Sequence, residues 1–208
     1  MQKVEEVLQN LYASLTEGGK LEMVENTYTR VLFGYYALIG HFRVMVLLGR
    51  YQEALELISI ISLEHTVVFS KAFGSQMSLF YNASFCYFMQ DKYLEAAKLA
   101  ETVAIFYDKY KKFVARTISE QSLVKLNSKV LALWCLAHVF EGNEPLDAIT
   151  DLVKNLSIKT VERNYNELLE DKLEKLKQFD ESTLIELFGF ASPKLLSPKG
   201  LVPPSVIQ

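Results

Sequence analysis

The chain has 208 residues, half of them hydrophobic and 12% aromatic, with 22 basic and 25 acidic side chains. That length and apolar content support a sizeable buried core and exclude an intrinsically disordered chain. A formal net charge of −3 excludes a general electrostatic attraction to phosphate backbones or anionic membranes, so any nucleic-acid contact must be local.

The opening, MQKVEEVLQNLYASL, lacks the long apolar core of a secretory signal. Val4, Leu8, Leu11 and Leu15 recur at helical spacing before Gly18 and Gly19, which predicts an edge helix within residues 1–20. Residues 31–48, VLFGYYALIGHFRVMVLL, are apolar enough to raise the question of a membrane span. His41 and Arg43 near the middle answer it, because a central arginine costs about 2.5–3.5 kcal/mol even on an insertion scale. The segment reads as a long buried helix from Thr27 to Leu48, closed by Gly49 and followed by a second helix from Tyr51 to about Ile61. Together they form an antiparallel hairpin.

The pattern then returns. GRYQEALEL at 49–57 is answered by DKYLEAAKL at 91–99, with Tyr51/Tyr93, Glu53/Glu95, Ala54/Ala96 and Leu57/Leu99 each 42 residues apart. Four identities in nine positions at one offset mark an internal repeat. A fainter third copy, EPLDAITDL, places Leu146, Asp147 and Ala148 at 52 residues beyond their counterparts, after a helix over 130–140. The added length is assigned to a basic connection, DKYKKFVARTISEQ.

In such hairpins a tyrosine opening the second helix wedges against the first, and an alanine one turn later lets the backbones approach, so Tyr51, Ala54, Tyr93, Ala96 and Ala148 are the expected repeat-packing residues. The period exceeds the roughly 34 residues of a regular tetratricopeptide unit, and Phe42 and Ser84 replace the small residue of its first helix. The predicted fold class is an all-α, right-handed, tetratricopeptide-like helical-repeat solenoid of antiparallel hairpins over 21–156.

Farther on, Val161, Tyr165, Leu169, Leu173 and Leu176 form one stripe of a long amphipathic helix. Asp180 and Ser182 are expected to cap a short helix over 183–188 that Gly189 stops. Residues 157–190 thus form C-terminal helices. Four of the five prolines then lie between Pro193 and Pro204, which makes 191–208 a Pro-rich tail, and the uncharged end LVPPSVIQ reads as the boundary of a fragment.

The familiar catalytic signatures GxxxxGK[ST], GxGxxG and GxSxG are absent. His41, His65 and His138 lack metal-ligand spacing, and Cys86 and Cys135 lie in apolar helical patterns as buried free thiols. Glu167, Glu170, Asp171 and Glu174 alternate with lysines as a solvated helix face. No catalytic, metal or cofactor site is therefore assigned. Lys109, Lys111, Lys112 and Arg116 interleave with Tyr107, Tyr110 and Phe113 in the composition of an RNA contact, although a solvated connector explains them as well. A peptide-clamping adaptor would need several Lys, Arg and Asn side chains on one inner face, and only Arg43 and Asn82 can be placed there.

With these residues laid out, the chain resembles the L subunits of eukaryotic translation initiation factor 3 over residues 28–198. The resemblance is carried by VLFGYYALIGHFRVMVLLGRYQEALELI, by FMQDKYLEAAKLA and most specifically by ELFGFASPKLLSP, whose signature positions are Glu186, Leu187, Phe188, Pro193, Lys194, Leu196, Ser197 and Pro198. It implies a cytoplasmic, non-catalytic scaffold whose helices lead towards a PCI module. The implied partners are the other PCI subunits of the factor and, through the complex, the small ribosomal subunit, with no membrane and no small-molecule substrate. Scaffolds of the proteasome lid or the COP9 signalosome, and a cochaperone adaptor, are the alternatives.

Overall fold

A computed structural model describes residues 27–59, 73–114, 120–142 and 180–194, together with Glu6, Asn10, Lys175 and Gln178. The expected edge helix, the stripe over 161–176, Ala148, His65 and Arg116 lie outside the described residues or almost wholly so. The described residues fold into six helices: α1 (Thr27–Leu47), α2 (Tyr51–Ser59), α3 (Phe73–Phe88), α4 (Tyr93–Val114), α5 (Glu120–Glu141) and α6 (Glu181–Ala191). The fold is an all-α helical repeat.

The 42-residue repeat reaches down to the backbone of its turns. Gly49 at the end of α1 has φ +77°, its N–H donates to Val46 O at 3.1 Å, and the Arg50 N–H donates to Met45 O at 3.0 Å. This pair of bonds across a left-handed residue is a Schellman cap. At the end of α3, Asp91 takes the same place with φ 59°; its N–H donates to Phe88 O at 3.1 Å and the Lys92 N–H to Tyr87 O at 3.0 Å. Aspartate is among the few non-glycine residues that tolerate this conformation, and the Tyr93 hydroxyl donates to its carboxylate at 2.7 Å. Gly142, φ 71°, closes α5 in the same hand.

Consecutive helices pack on one another, and α1, α3 and α5, which the sequence marks as first helices of the repeat, also pack in a row. α3 is the centre of that row and is buried on nearly every side, as its apolar character all round requires. Ala54 and Ala96 are fully buried. Across the second hairpin, the Ser84 hydroxyl donates to Ala96 O at 2.8 Å, so the serine in place of a smaller residue stitches two closely approaching backbones. Tyr51 packs edge-on against Phe85 of the next hairpin, with centroids 6.0 Å apart. Tyr93 does the same to Phe88 of its own hairpin at 5.2 Å and tilts onto Phe140 of the following one at 5.5 Å. Tyr93 therefore closes its own hairpin and reaches the next helix, while Tyr51 reaches across to the following hairpin.

Two expectations are corrected. The basic stretch assigned to a connection is helical as far as Val114, because nothing between Tyr93 and Val114 breaks a helix, and α5 begins at Glu120. Gly189 does not stop α6, which runs on to Ala191. Its helix penalty is outweighed by burial of Leu187 and Ala191, at 2% and 0% exposure. The stop comes from Pro193, which forces Ser192 into an extended conformation, ψ 141°. Asp180 is the N-cap as expected, accepting from the Thr183 N–H at 3.0 Å.

By length and composition, residues Ser122–Glu141 of α5 could cross a membrane, with a mean hydropathy of 1.4. However, 72% of that stretch is buried within the protein, against α3, α4 and α6, so its apolar surface is already covered as a core helix.

Candidate functional site: a basic groove across the first helices

The row of first helices carries a groove of about 220 Å³. α1 contributes Arg43 and Leu47, α3 Ser78, Tyr81 and Asn82, and α5 Ser122, Lys125, Leu126 and Lys129; Pro193 and Lys194, just beyond α6, form its remaining wall. Among the described lining residues four are cations and none is acidic.

The contacts that set this wall begin with α6. Phe188 stacks on Phe85 and packs against Phe88, both with centroids 6.0 Å apart, while Leu187 is buried in the core. The Tyr81 hydroxyl donates to the carbonyl of Ala191. One residue on, the Lys129 ammonium donates to Ser192 O at 2.9 Å and lies 5.9 Å from the centroid of the Tyr81 ring. The chain therefore leaves α6 in a fixed direction, which delivers Pro193 and Lys194 to the groove.

Electrostatics follow from this crowding. Burial, with Lys194 and Lys125 adding like-charge repulsion, lowers the Lys129 pKa from 10.5 to about 8. Burial raises Tyr81 well above the ordinary phenol range. Asn82, itself buried, donates its amide to Ser78 O at 2.6 Å, which holds the side chain at the groove wall.

The signature residues from the sequence are thereby split. Leu187 and Phe188 are packing residues, Pro193 and Lys194 line the groove, and Glu186 is on the exposed side of α6. Leu196, Ser197 and Pro198 lie outside the described residues. Of the candidate RNA contacts, Lys109 is exposed on α4, and Lys111 and Lys112 are on the same helical backbone. Arg43 and Asn82, the two inward candidates from the sequence, do meet in the groove. Sequence reasoning missed Lys125, Lys129, Ser78 and Ser122; a Ser/Lys stripe at helical spacing on α5 was the available signal.

The described histidines and cysteines lie outside the groove. His41 is buried in α1, and His138 on α5 lies edge-on to Trp134 at 5.0 Å, its pKa lowered mainly by burial. Cys86 and Cys135 are buried free thiols, each pushed up to about 12 by burial.

The chain is similar to proteins named eukaryotic translation initiation factor 3 subunit L from Gallus gallus, Mus musculus and Homo sapiens. It is 26% identical to each over 188 residues, which covers 88% of this chain and 31% of the relative. The chain thus spans about a third of the length of these curated relatives. The family model described as RNA polymerase I-associated factor PAF67 matches residues 2–207, and the protein belongs to that family.

Proposed function

We propose that this chain is part of an L subunit of eukaryotic translation initiation factor 3 and serves it as a non-catalytic scaffold in the cytoplasm. The observation that carries the proposal is the similarity to those subunits across 88% of the chain. The helical repeat supports it physically, since stacked hairpins offer long rigid faces for partner proteins rather than an enclosed reaction pocket. In this reading residues 21–156 form the repeat, residues 157–190 lead towards a PCI module, and the partners are the other PCI subunits and, through them, the small ribosomal subunit. Lys109, Lys111, Lys112 and Arg116 would add an RNA contact at most locally, given the net charge of −3.

The family description supports a second reading, association with RNA polymerase I. Affinity isolation of the tagged 208-residue chain from a eukaryotic lysate, with mass spectrometry of the retained proteins, separates the two. Enrichment of initiation factor 3 subunits is the expected result. Enrichment of polymerase I subunits in their place would overturn the proposal.

A further inference from the structure

The groove gathers Arg43, Lys125, Lys129 and Lys194 from α1, α5 and the segment after α6, with no carboxylate among its described lining residues. Like charges brought together in this way repel one another, and the repulsion is relieved when an anion enters. We propose that the groove docks an acidic segment of a partner protein, whose aspartate or glutamate carboxylates sit among these four cations. The proposal does not depend on which complex the chain joins.

Three features favour a protein carboxylate over a nucleic-acid phosphate. First, at about 220 Å³ and walled by Pro193, the groove accommodates one or two side chains rather than a run of nucleotides. Second, Leu47 and Leu126 give an apolar wall to the methylene stem of such a side chain, while Asn82, Ser78 and Ser122 offer polar groups to a peptide main chain. Third, single-stranded nucleic acid is held by backbone contacts combined with bases stacked on open aromatic faces. Tyr81, the aromatic residue of the groove, has its hydroxyl committed to Ala191 and its ring beside the Lys129 ammonium.

Lys129 gives the site a pH signature. Among the described residues, the titratable and charged groups that line the groove with it are Arg43 on α1, Tyr81 on α3, Lys125 on its own helix and Lys194 after α6, of which Lys194 and Lys125 repel its charge. With its pKa lowered to about 8, Lys129 loses its charge as pH rises from 7 to 9, and a bound carboxylate loses one of its partners.

The test is fluorescence anisotropy on the 208-residue chain with a labelled peptide containing four consecutive glutamates. Its glutamine counterpart and a labelled oligouridylate of similar length serve as competing probes. Arg43, Lys125 and Lys194 are exposed, so R43Q, K125Q and K194Q remove charge without opening the core; Lys98→Gln, exposed on α4 and outside the groove, is the control. The glutamate peptide should bind at least about tenfold more tightly than the glutamine one, each groove variant should weaken it by roughly threefold to tenfold, and K98Q should leave it unchanged. Raising the pH from 7 to 9 should weaken wild-type binding further. Equal binding of the two peptides, or groove variants that behave like the control, would overturn the proposal. So would tighter binding of the oligouridylate that the groove variants abolish, which would make the groove an RNA site. Peptide binding without enrichment of factor 3 subunits from lysate removes the complex assignment alone, and the reverse pattern removes the groove assignment alone.

Discussion

Replacing Tyr81 by phenylalanine deletes one hydroxyl and leaves the ring, so no cavity opens at a residue 4% exposed. What is lost is the hydrogen bond to Ala191 O, and Ala191 is fully buried. A buried acceptor left without a partner costs about 1–3 kcal/mol. In a chain of this length, each kcal/mol lowers Tm by about 2–4 °C, so a fall of about 6 °C is expected near the middle of the range. Thermal unfolding followed by circular dichroism measures the total. Hydrogen exchange locates it: amides of α6 should lose protection while those of α1, whose backbone does not approach that of α6, keep theirs. Because α6 aims Pro193 and Lys194 into the groove, Y81F should also weaken the glutamate peptide. A Tm within about 1 °C of wild type, with unchanged protection of α6, would refute the claim that this bond fixes the last described helix.

The other predictions concern backbone and thiols. Gly189 lies inside α6, and a methyl group there would meet nothing within 4 Å. Gly189→Ala should therefore stabilise by about 0.5–1 kcal/mol in urea unfolding. Gly49 also has open space around it, but its φ of +77° strains any side chain, so Gly49→Ala should destabilise by about 1–2 kcal/mol. At the equivalent turn Asp91→Gly should have the opposite sign, with the gain reduced by loss of the Tyr93 hydrogen bond. Cys86 and Cys135, buried and shifted to about 12, should resist a thiol reagent at pH 8 in the native chain and both react in denaturant.

Much of the architecture was legible because it is written locally. The hairpins announced themselves through Tyr51/Tyr93 and Ala54/Ala96 at one offset, and the structure adds that Gly49 and Asp91, at the same offset, carry the same cap. An aspartate does not advertise a left-handed residue as a glycine does, so the second cap was silent. Two misreadings share a cause, since in both a local signal was outweighed by its surroundings. Lysines and aromatics over 109–113 looked like a connection but lie within α4, and Gly189 looked like a terminator but lies between core residues Leu187 and Ala191. The groove was the least legible feature. Its cations lie as far apart in sequence as Arg43 and Lys194, and only the stacking of α1, α3, α5 and α6 brings them together. Sequence periodicity describes each helix face but not which faces meet.

Whether the chain is a scaffold component of initiation factor 3 is decided by sedimentation of the tagged chain in a eukaryotic lysate through a density gradient, with the factor's other subunits quantified in every fraction. The expected result is a peak of the chain that coincides with those subunits at a fixed ratio and moves with them when the lysate is treated to release the factor from small ribosomal subunits. A chain that stays at the top of the gradient, or that travels with polymerase I subunits while the factor's subunits sediment elsewhere, would contradict it.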